Sequence, residues 1–417
     1  MKIMTFLIIL VAGFLFFYKV DVGFRMSPYY NYDSDFGRDL LKMTEILHGK
    51  QTLIGPQLSF AGLRLAPYQF YFFAPFLWLG RFDYRSVVFA NAGLFVLGFF
   101  LLFFLLQKRI GRFYSFLSIL WLISTPYIIL TARSPGNGFS YVILLLLVVF
   151  LHFFYKSFSL KQHFLFGFIE GIIINFHPLS SLIVVPLHLL KLKKAKDFFV
   201  FAFGLLITFL SVFIFDLRHD FVIINFFING GQKNFFTVLT QFLNFSSFLK
   251  GYTADSYQGA IHYYFPFLVF FQVVIIFLNR KSRLRFLLLA FLLGVNILLF
   301  PFRFYNQARN LGEVESRFNK IISQDFLQKK DLNIVLINDT PISKVGYEYR
   351  FLLSKNNYQI DDEYSYHNSK YLLMISEIGD LNWQKEKSWE LEQFGNKKLI
   401  KKTNSDNYFY YFFEKTY

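Results

Sequence analysis

The sequence predicts an α-helical polytopic membrane protein with a small C-terminal α/β domain, and three observations lead there. The 417 residues are 55% hydrophobic and 22% aromatic, with 61 Phe, which is more apolar surface than a soluble domain can hide. These residues fall in uninterrupted blocks separated by short loops that gather the Lys and Arg, as membrane topology requires. From about Arg303 onward the blocks stop and charges are spread throughout. A net charge of +16 would suggest nucleic acid in a soluble chain, but here the charge belongs to the loops, so the expected surroundings are a lipid bilayer and no nucleic acid. With no cysteine, disulfides, thiolate metal sites and cysteine nucleophiles are excluded.

The first block, Ile3 to Tyr18, follows Lys2 and lacks a small-residue cleavage signal, so it is expected to remain as a span with the N-terminus inside. A loop over 21–85 comes next and opens with Tyr32-Asp33-Ser34-Asp35-Phe36-Gly37-Arg38-Asp39. Phe36, Leu40, Met43 and Leu47 recur at helical spacing, predicting a short amphipathic helix on the bilayer surface that stops at Gly49. Asp33, Ser34 or Asp35 is a suitable N-cap for it. The run from Pro67 to Phe73, broken by Pro67 and Pro75, reads as a second juxtamembrane or re-entrant segment.

Further blocks run Val87 to Leu106, Phe113 to Leu130, Phe139 to Tyr155, Phe164 to Asn175, Leu179 to Leu190, Phe198 to Phe215, Tyr263 to Leu278 and Phe286 to Phe302. Alternate loops carry Lys108 to Arg112, Lys156 and Lys161, Lys191 to Lys196, and Arg280 to Arg285, while the intervening ones are nearly neutral. This asymmetry predicts about nine transmembrane helices, with the first long loop and the C-terminus outside the cytoplasmic membrane. The expected division is a membrane domain over 1–302 and an outer α/β domain over 303–417, with strands Asn333 to Ile337, Tyr371 to Ser376, Lys397 to Lys402 and Tyr408 to Glu414, and helices at Tyr347 to Asn356 and Trp383 to Phe394.

Polar clusters on the predicted outer side are candidates for chemistry: the acidic stretch, Thr131 to Gly138, Asn175 with His177-Pro178, and Asp216 to Asp220. There is no P-loop, nucleophile elbow, His-Glu-x-x-His or dinucleotide fingerprint. Within the blocks only Glu170 stands out as a charge, which argues against an ion-coupled transporter.

The stretch Asp35-Phe36-Gly37-Arg38-Asp39, followed by Leu53-Ile54-Gly55-Pro56 and Ala66-Pro67-Tyr68-Gln69-Phe70-Tyr71, resembles the first outer loop of the GT-C membrane glycosyltransferases. The resemblance is to bacterial protein mannosyltransferases and lipid A aminoarabinose transferases, whose motif is often written Asp-Glu-x-Arg-Tyr. Phe36 replaces the second carboxylate, so Asp33 or Asp39 would have to substitute for it. The resemblance implies a GT-C fold and transfer of a sugar, with inversion at the anomeric carbon, from a polyprenyl-phosphate donor to a lipid, glycan or protein acceptor at the outer face. It implies Asp35 as the base, with Asp39 and Asp33 as supporting carboxylates. Arg38, Arg133 and Arg218 would hold the donor phosphate, since a guanidinium fork matches phosphate oxygens. Tyr68, Asn137, His177 and His219 would line the substrate. No metal ligands are assigned and no cofactor is required, with a divalent metal left open. The alternative is a non-catalytic scaffold or lipid-linked-sugar flippase of similar topology.

Overall fold

The computed structural model describes residues 2–18, 34–56, 64–136, 138–226, 228, 261–278, 283–299, 311–323, 331–338 and 344–416. They form two compact units, one from Met1–Ser27 with Gln51–Asn306 and one from Pro28–Lys50 with Gln307–Tyr417. In chain order the helices are α1 (Lys2–Phe17), α2 (Ser34–Leu47), α3 (Tyr68–Leu79), α4 (Tyr84–Ile110), α5 (Arg112–Ser124), α6 (Pro126–Arg133), α7 (Val142–Phe154), α8 (Leu160–Phe176), α9 (Ser181–Leu189), α10 (Ala195–Ile207), α11 (Leu210–Arg218), α12 (Val222–Phe226), α13 (Phe265–Leu278), α14 (Arg283–Leu299), α15 (Leu311–Ile322), α16 (Tyr347–Lys355) and α17 (Trp389–Phe394). The strands are β1 (Leu332–Ile337), β2 (Tyr371–Ser376), β3 (Lys397–Ser405) and β4 (Tyr408–Lys415).

In the larger unit the apolar blocks are helices, as read, but two of them are broken. Among the described residues α4 alone is long and apolar enough to cross a membrane, and the bent pairs α5–α6 and α10–α11 raise the number to as many as three. The first pair turns by 66°. Its cause is Pro126 at the first position of α6, which has no N–H to continue the hydrogen-bond ladder. Polar side chains from α13 and α14 gather at the break: Asn296 Nδ2 donates to the Trp121 carbonyl (3.3 Å) and to Ser124 Oγ (3.1 Å), and Gln272 Nε2 to Thr125 Oγ1 (3.2 Å). Tyr127 Oη donates to Gln272 Oε1. The second pair turns by 58° after Ile207.

α8 starts on a reciprocal cap, in which Ser159 N–H donates to Gln162 Oε1 (2.8 Å) and Gln162 N–H donates to Ser159 Oγ (3.4 Å). It packs closely on α10 through Gly167 and Gly204. A Cβ at Gly167 would stand 2.2 Å from Phe201 O, and one at Gly204 2.4 Å from Phe164 O. Small residues spaced to let backbones touch are what hold apolar helices together where no hydrophobic gain separates them from lipid. The aromatic run from Pro67 forms the short helix α3, which Pro67 precedes and which accommodates Pro75 inside it.

The smaller unit is a four-stranded sheet in the order β1-β2-β4-β3, with β1 and β2 parallel and the other pairs antiparallel. β1 reads Leu-Asn-Ile-Val-Leu-Ile and is buried on both faces. One face holds Val335, Leu372, Met374, Tyr411 and Phe413 against Leu391 and Phe394 of α17. Phe318 of α15 meets the rings of Tyr349 (4.9 Å) and Tyr410 (6.0 Å). The outer strand β3 is rich in exposed Lys, which discourages edge-to-edge pairing. The helix expected from Trp383 begins only at Trp389, where the Ser388 hydroxyl accepts from Leu391 N–H.

Buried Arg350 on α16 ties this unit together, donating to the carbonyls of Val345 (2.9 Å) and Asp361 (2.8 Å), to Tyr366 Oη (3.1 Å) and to Asn333 Oδ1. Burial pushes the Tyr366 hydroxyl up to about 12, against the opposing pull of Arg350.

α2 falls in this smaller unit, although the sequence reading assigned the first loop to 1–302 and laid α2 on the bilayer surface. The reason is steric and apolar. Phe36, Leu40 and Met43 are buried, and α2 runs along α16 so closely that a Cβ at Gly37 would lie 2.5 Å from the Glu348 backbone nitrogen. Gly37→Ala should therefore force α2 away from α16 at a cost of about 1–3 kcal/mol. Hydrogen exchange should show faster exchange in α2 and in residues 347–355; unchanged protection there would show that the contact is not limiting.

Candidate functional site

Three residues of the acidic stretch meet on one face of α2. Arg38 Nη1 donates to Asp35 Oδ1 at 2.6 Å, while Arg38 Nε and Nη2 grip Asp39 Oδ1 at 3.1 and 2.8 Å. Asp39 is buried and Asp35 is 69% exposed, so the buried carboxylate orients the guanidinium and the outer one faces solvent. Asp35 lies in the first turn of α2, after its first residue Ser34, where the helix dipole favours a negative charge. Asp33 lies outside the described residues. Phe36, which stands where the family motif has its second carboxylate, is buried in the packing face of α2. The same unit holds a cavity of about 370 Å³ bordered by Glu45, His48, Arg350, Tyr358 and Asp362, and none of the sequence-predicted site residues lines it.

In the larger unit the predicted residues separate into different settings. Tyr68, at the start of α3, donates its hydroxyl to Thr208 O (2.7 Å), the carbonyl left free by the α10–α11 break. Asn175 near the end of α8 reaches the same place. Its Nδ2 donates to Gly171 O (2.9 Å) and Thr208 Oγ1 (3.3 Å), and its Oδ1 accepts from Ala66 N–H (3.1 Å). Tyr68 and Asn175 thus converge on one bend.

Arg133 is buried at the end of α6. Its Nη1 donates to the carbonyls of Tyr18 (2.8 Å) and Leu15 (3.3 Å) at the C-terminal end of α1. His177 is buried between α8 and α9, with its ring parallel to that of Tyr141 (centroids 5.1 Å apart) and tilted against Tyr263 (5.5 Å).

Arg218 ends α11 with its side chain exposed. His219 beside it turns back, with Nδ1 2.7 Å from Phe215 O and its ring stacked on Phe215 at 4.0 Å. Asp216 in the same motif is structural: its carboxylate accepts from Ile223 N–H (2.7 Å) and Ile224 N–H (3.3 Å), holding the start of α12. Asn137 lies outside the described residues.

A buried cluster that the sequence reading did not assemble joins His152 on α7, Glu170 on α8 and His188 on α9. Glu170 was visible as a charge inside an apolar block, whereas the two His were each a single polar residue in separate blocks.

Asn175→Ala would strand the Ala66 N–H and remove the amide from the Thr208 bend, for a loss of about 1–3 kcal/mol. A lowered unfolding temperature of the full-length protein checks this, and an unchanged one would show that the bend is held by other contacts.

Neither a protein-family model nor a curated protein matches the sequence. Two solved structures share its architecture over nearly the whole length. ArnT from Cupriavidus metallidurans in the apo state aligns with a TM-score of 0.56 at 11% identity, covering 98% of this chain and 97% of that one. The same protein bound to undecaprenyl phosphate aligns with a TM-score of 0.56 at 12% identity over the same shares. At such identity the likeness is one of fold, and the fold is the one expected from the GT-C resemblance of the acidic loop.

Proposed function

We propose that this chain is a membrane glycosyltransferase that moves a sugar from a polyprenyl-phosphate donor to a lipid, glycan or protein acceptor at the outer face of the cytoplasmic membrane. The observation that carries the reading is the full-length likeness in fold to ArnT, one structure of which holds undecaprenyl phosphate. The Asp35–Arg38–Asp39 set, on the helix where the resembled transferases keep their acidic motif, supports it. Because nucleotide sugars are absent outside the cell, a lipid-carried donor suits an outer site.

In the proposed mechanism Asp35 takes the proton of the acceptor hydroxyl or amine while that atom attacks the anomeric carbon. The bond from the anomeric carbon to the phosphate oxygen breaks with inversion, and polyprenyl phosphate leaves with the bonding electron pair. Arg38 is aimed by buried Asp39 and carries both a link to the base and a guanidinium able to offset negative charge on the leaving group. Arg218, exposed at the end of α11, is the second phosphate fork we propose. We assign Arg133 instead to holding the end of α1, because its Nη1 is spent on backbone carbonyls.

Incubating the purified full-length protein with a panel of polyprenyl-phosphate sugars and an envelope acceptor extract should release free polyprenyl phosphate from one member. A folded protein that releases none from any member would contradict the reading. Arg218→Lys keeps the charge and loses the fork, so donor binding should weaken by about 1–3 kcal/mol. Full donor affinity in that variant would reduce Arg218 to a surface anchor.

A further inference from the structure

The buried cluster on α7, α8 and α9 has a geometry that a hydrogen-bond network alone does not use up. Three atoms form a nearly equilateral triangle: His152 Nε2 to His188 Nδ1 is 3.1 Å, His188 Nδ1 to Glu170 Oε1 is 3.2 Å, and Glu170 Oε1 to His152 Nε2 is 3.3 Å. Ligands about 2.0–2.1 Å from a tetrahedral ion stand about 3.3 Å apart, so the triangle has the dimensions of one face of a coordination sphere.

The proton positions favour the same conclusion. His152 Nδ1 is 2.9 Å from Val148 O, which can only accept, so that nitrogen carries the hydrogen and the neutral ring turns a lone pair on Nε2 toward the centre. In its carboxylate form, the one a metal ion requires, Glu170 turns Oε1 toward the same centre. Glu170 Oε2, also buried, has no hydrogen-bond partner among the described residues, a cost that a cation bound to both oxygens removes.

A supporting shell is in place too. With His188 Nδ1 used as a ligand, its Nε2–H donates to His163 Nδ1 at 2.9 Å, and the opposite His163 nitrogen faces Asp197 at 4.0 Å. Metal-bound imidazoles are commonly fixed in this way by a further acceptor. Phe201 stacks on the His188 ring at 3.9 Å, and Phe158 and Phe166 border the two imidazoles at 5.6 and 4.9 Å. These rings close the site against water. The sequence keeps the four polar residues far apart, at positions 152, 163, 170 and 188, and they meet only where three helices converge.

We propose that His152, His188 and Glu170 bind one divalent transition-metal ion that fastens α7, α8 and α9 together. Two imidazoles and a carboxylate suit zinc first, with cobalt and nickel as weaker substitutes. The site is separate from the acidic motif and does not depend on the transferase reading.

Full-length protein purified in detergent and stripped with a chelator is titrated with Zn²⁺ alone. One equivalent should bind per chain, and the unfolding temperature should rise with it. Glu170→Gln keeps the size and loses the anionic ligand, so it should bind zinc at least 10-fold more weakly. His163→Ala leaves all three ligands and loses their support, with an expected 10- to 100-fold loss of affinity. If Zn²⁺ fails to bind the unaltered protein, or binds Glu170→Gln as tightly as the unaltered chain, the proposal is overturned. The wild-type stoichiometry decides the matter even where a variant does not fold.

Discussion

A backbone group set free among apolar helices has no water to turn to, and much of this protein is arranged around that constraint. Among the described residues two apolar blocks are broken by sharp bends, and polar side chains from neighbouring helices gather at each. Asn296 and Gln272 attend to the bend at Thr125, and Asn175 and Tyr68 to the one at Thr208. Arg133 does the same for the end of α1, and Asn91, buried on α4, donates to the last carbonyls of α6, Thr131 (2.8 Å) and Ala132 (2.9 Å). A polar residue in an apolar block is therefore first a candidate for backbone repair. It becomes a candidate for chemistry when its partners are charged side chains rather than backbone, as Arg38 meets Asp35 and Asp39.

The acidic motif divides along the same line. Phe36 and Gly37 serve packing: one fills the buried face of α2, and the other lets the helix approach the Glu348 backbone. Asp35, Arg38 and Asp39 remain as a charged set graded from exposed to buried, with the inner carboxylate fixing the guanidinium. The C-terminal unit thus has a physical task that its sequence does not announce. It supplies the surface that holds the motif helix, through α16, and α16 is held in turn by the buried guanidinium of Arg350.

The parts of the fold that are legible in the sequence are those written in local pattern. Strands β1, β2 and β4 lie within one residue of the apolar runs that predict them, because turn residues bound each run. The helix after Asp35 was legible from its apolar spacing, and its end from Gly49, whose φ of 91° few other residues adopt. The α5–α6 break carries a visible cause in Pro126, whereas the α10–α11 break at Thr208 has no Pro or Gly to mark it. Gly167 and Gly171 were there to be read as a close-packing pair on one face of α8. The partner of α2 could not be read, since nothing local in Phe36 or Leu40 tells a bilayer from a protein surface more than 300 residues further along the chain. The His152–Glu170–His188 cluster is hidden for the same reason: Glu170 stands out alone as a charge, and the two His join it only when three helices are brought together.

The central claim is that the charged face of α2 performs sugar transfer rather than merely starting a helix, and Asp35→Asn tests it most directly. The substitution keeps the size of the side chain and removes its ability to take a proton as a carboxylate. With the donor identified, the rate of polyprenyl-phosphate release by the folded variant should fall roughly 100-fold or more, the scale of general-base removal, with the unfolding temperature nearly unchanged. A folded Asp35→Asn protein that transfers sugar at the full rate would contradict the account.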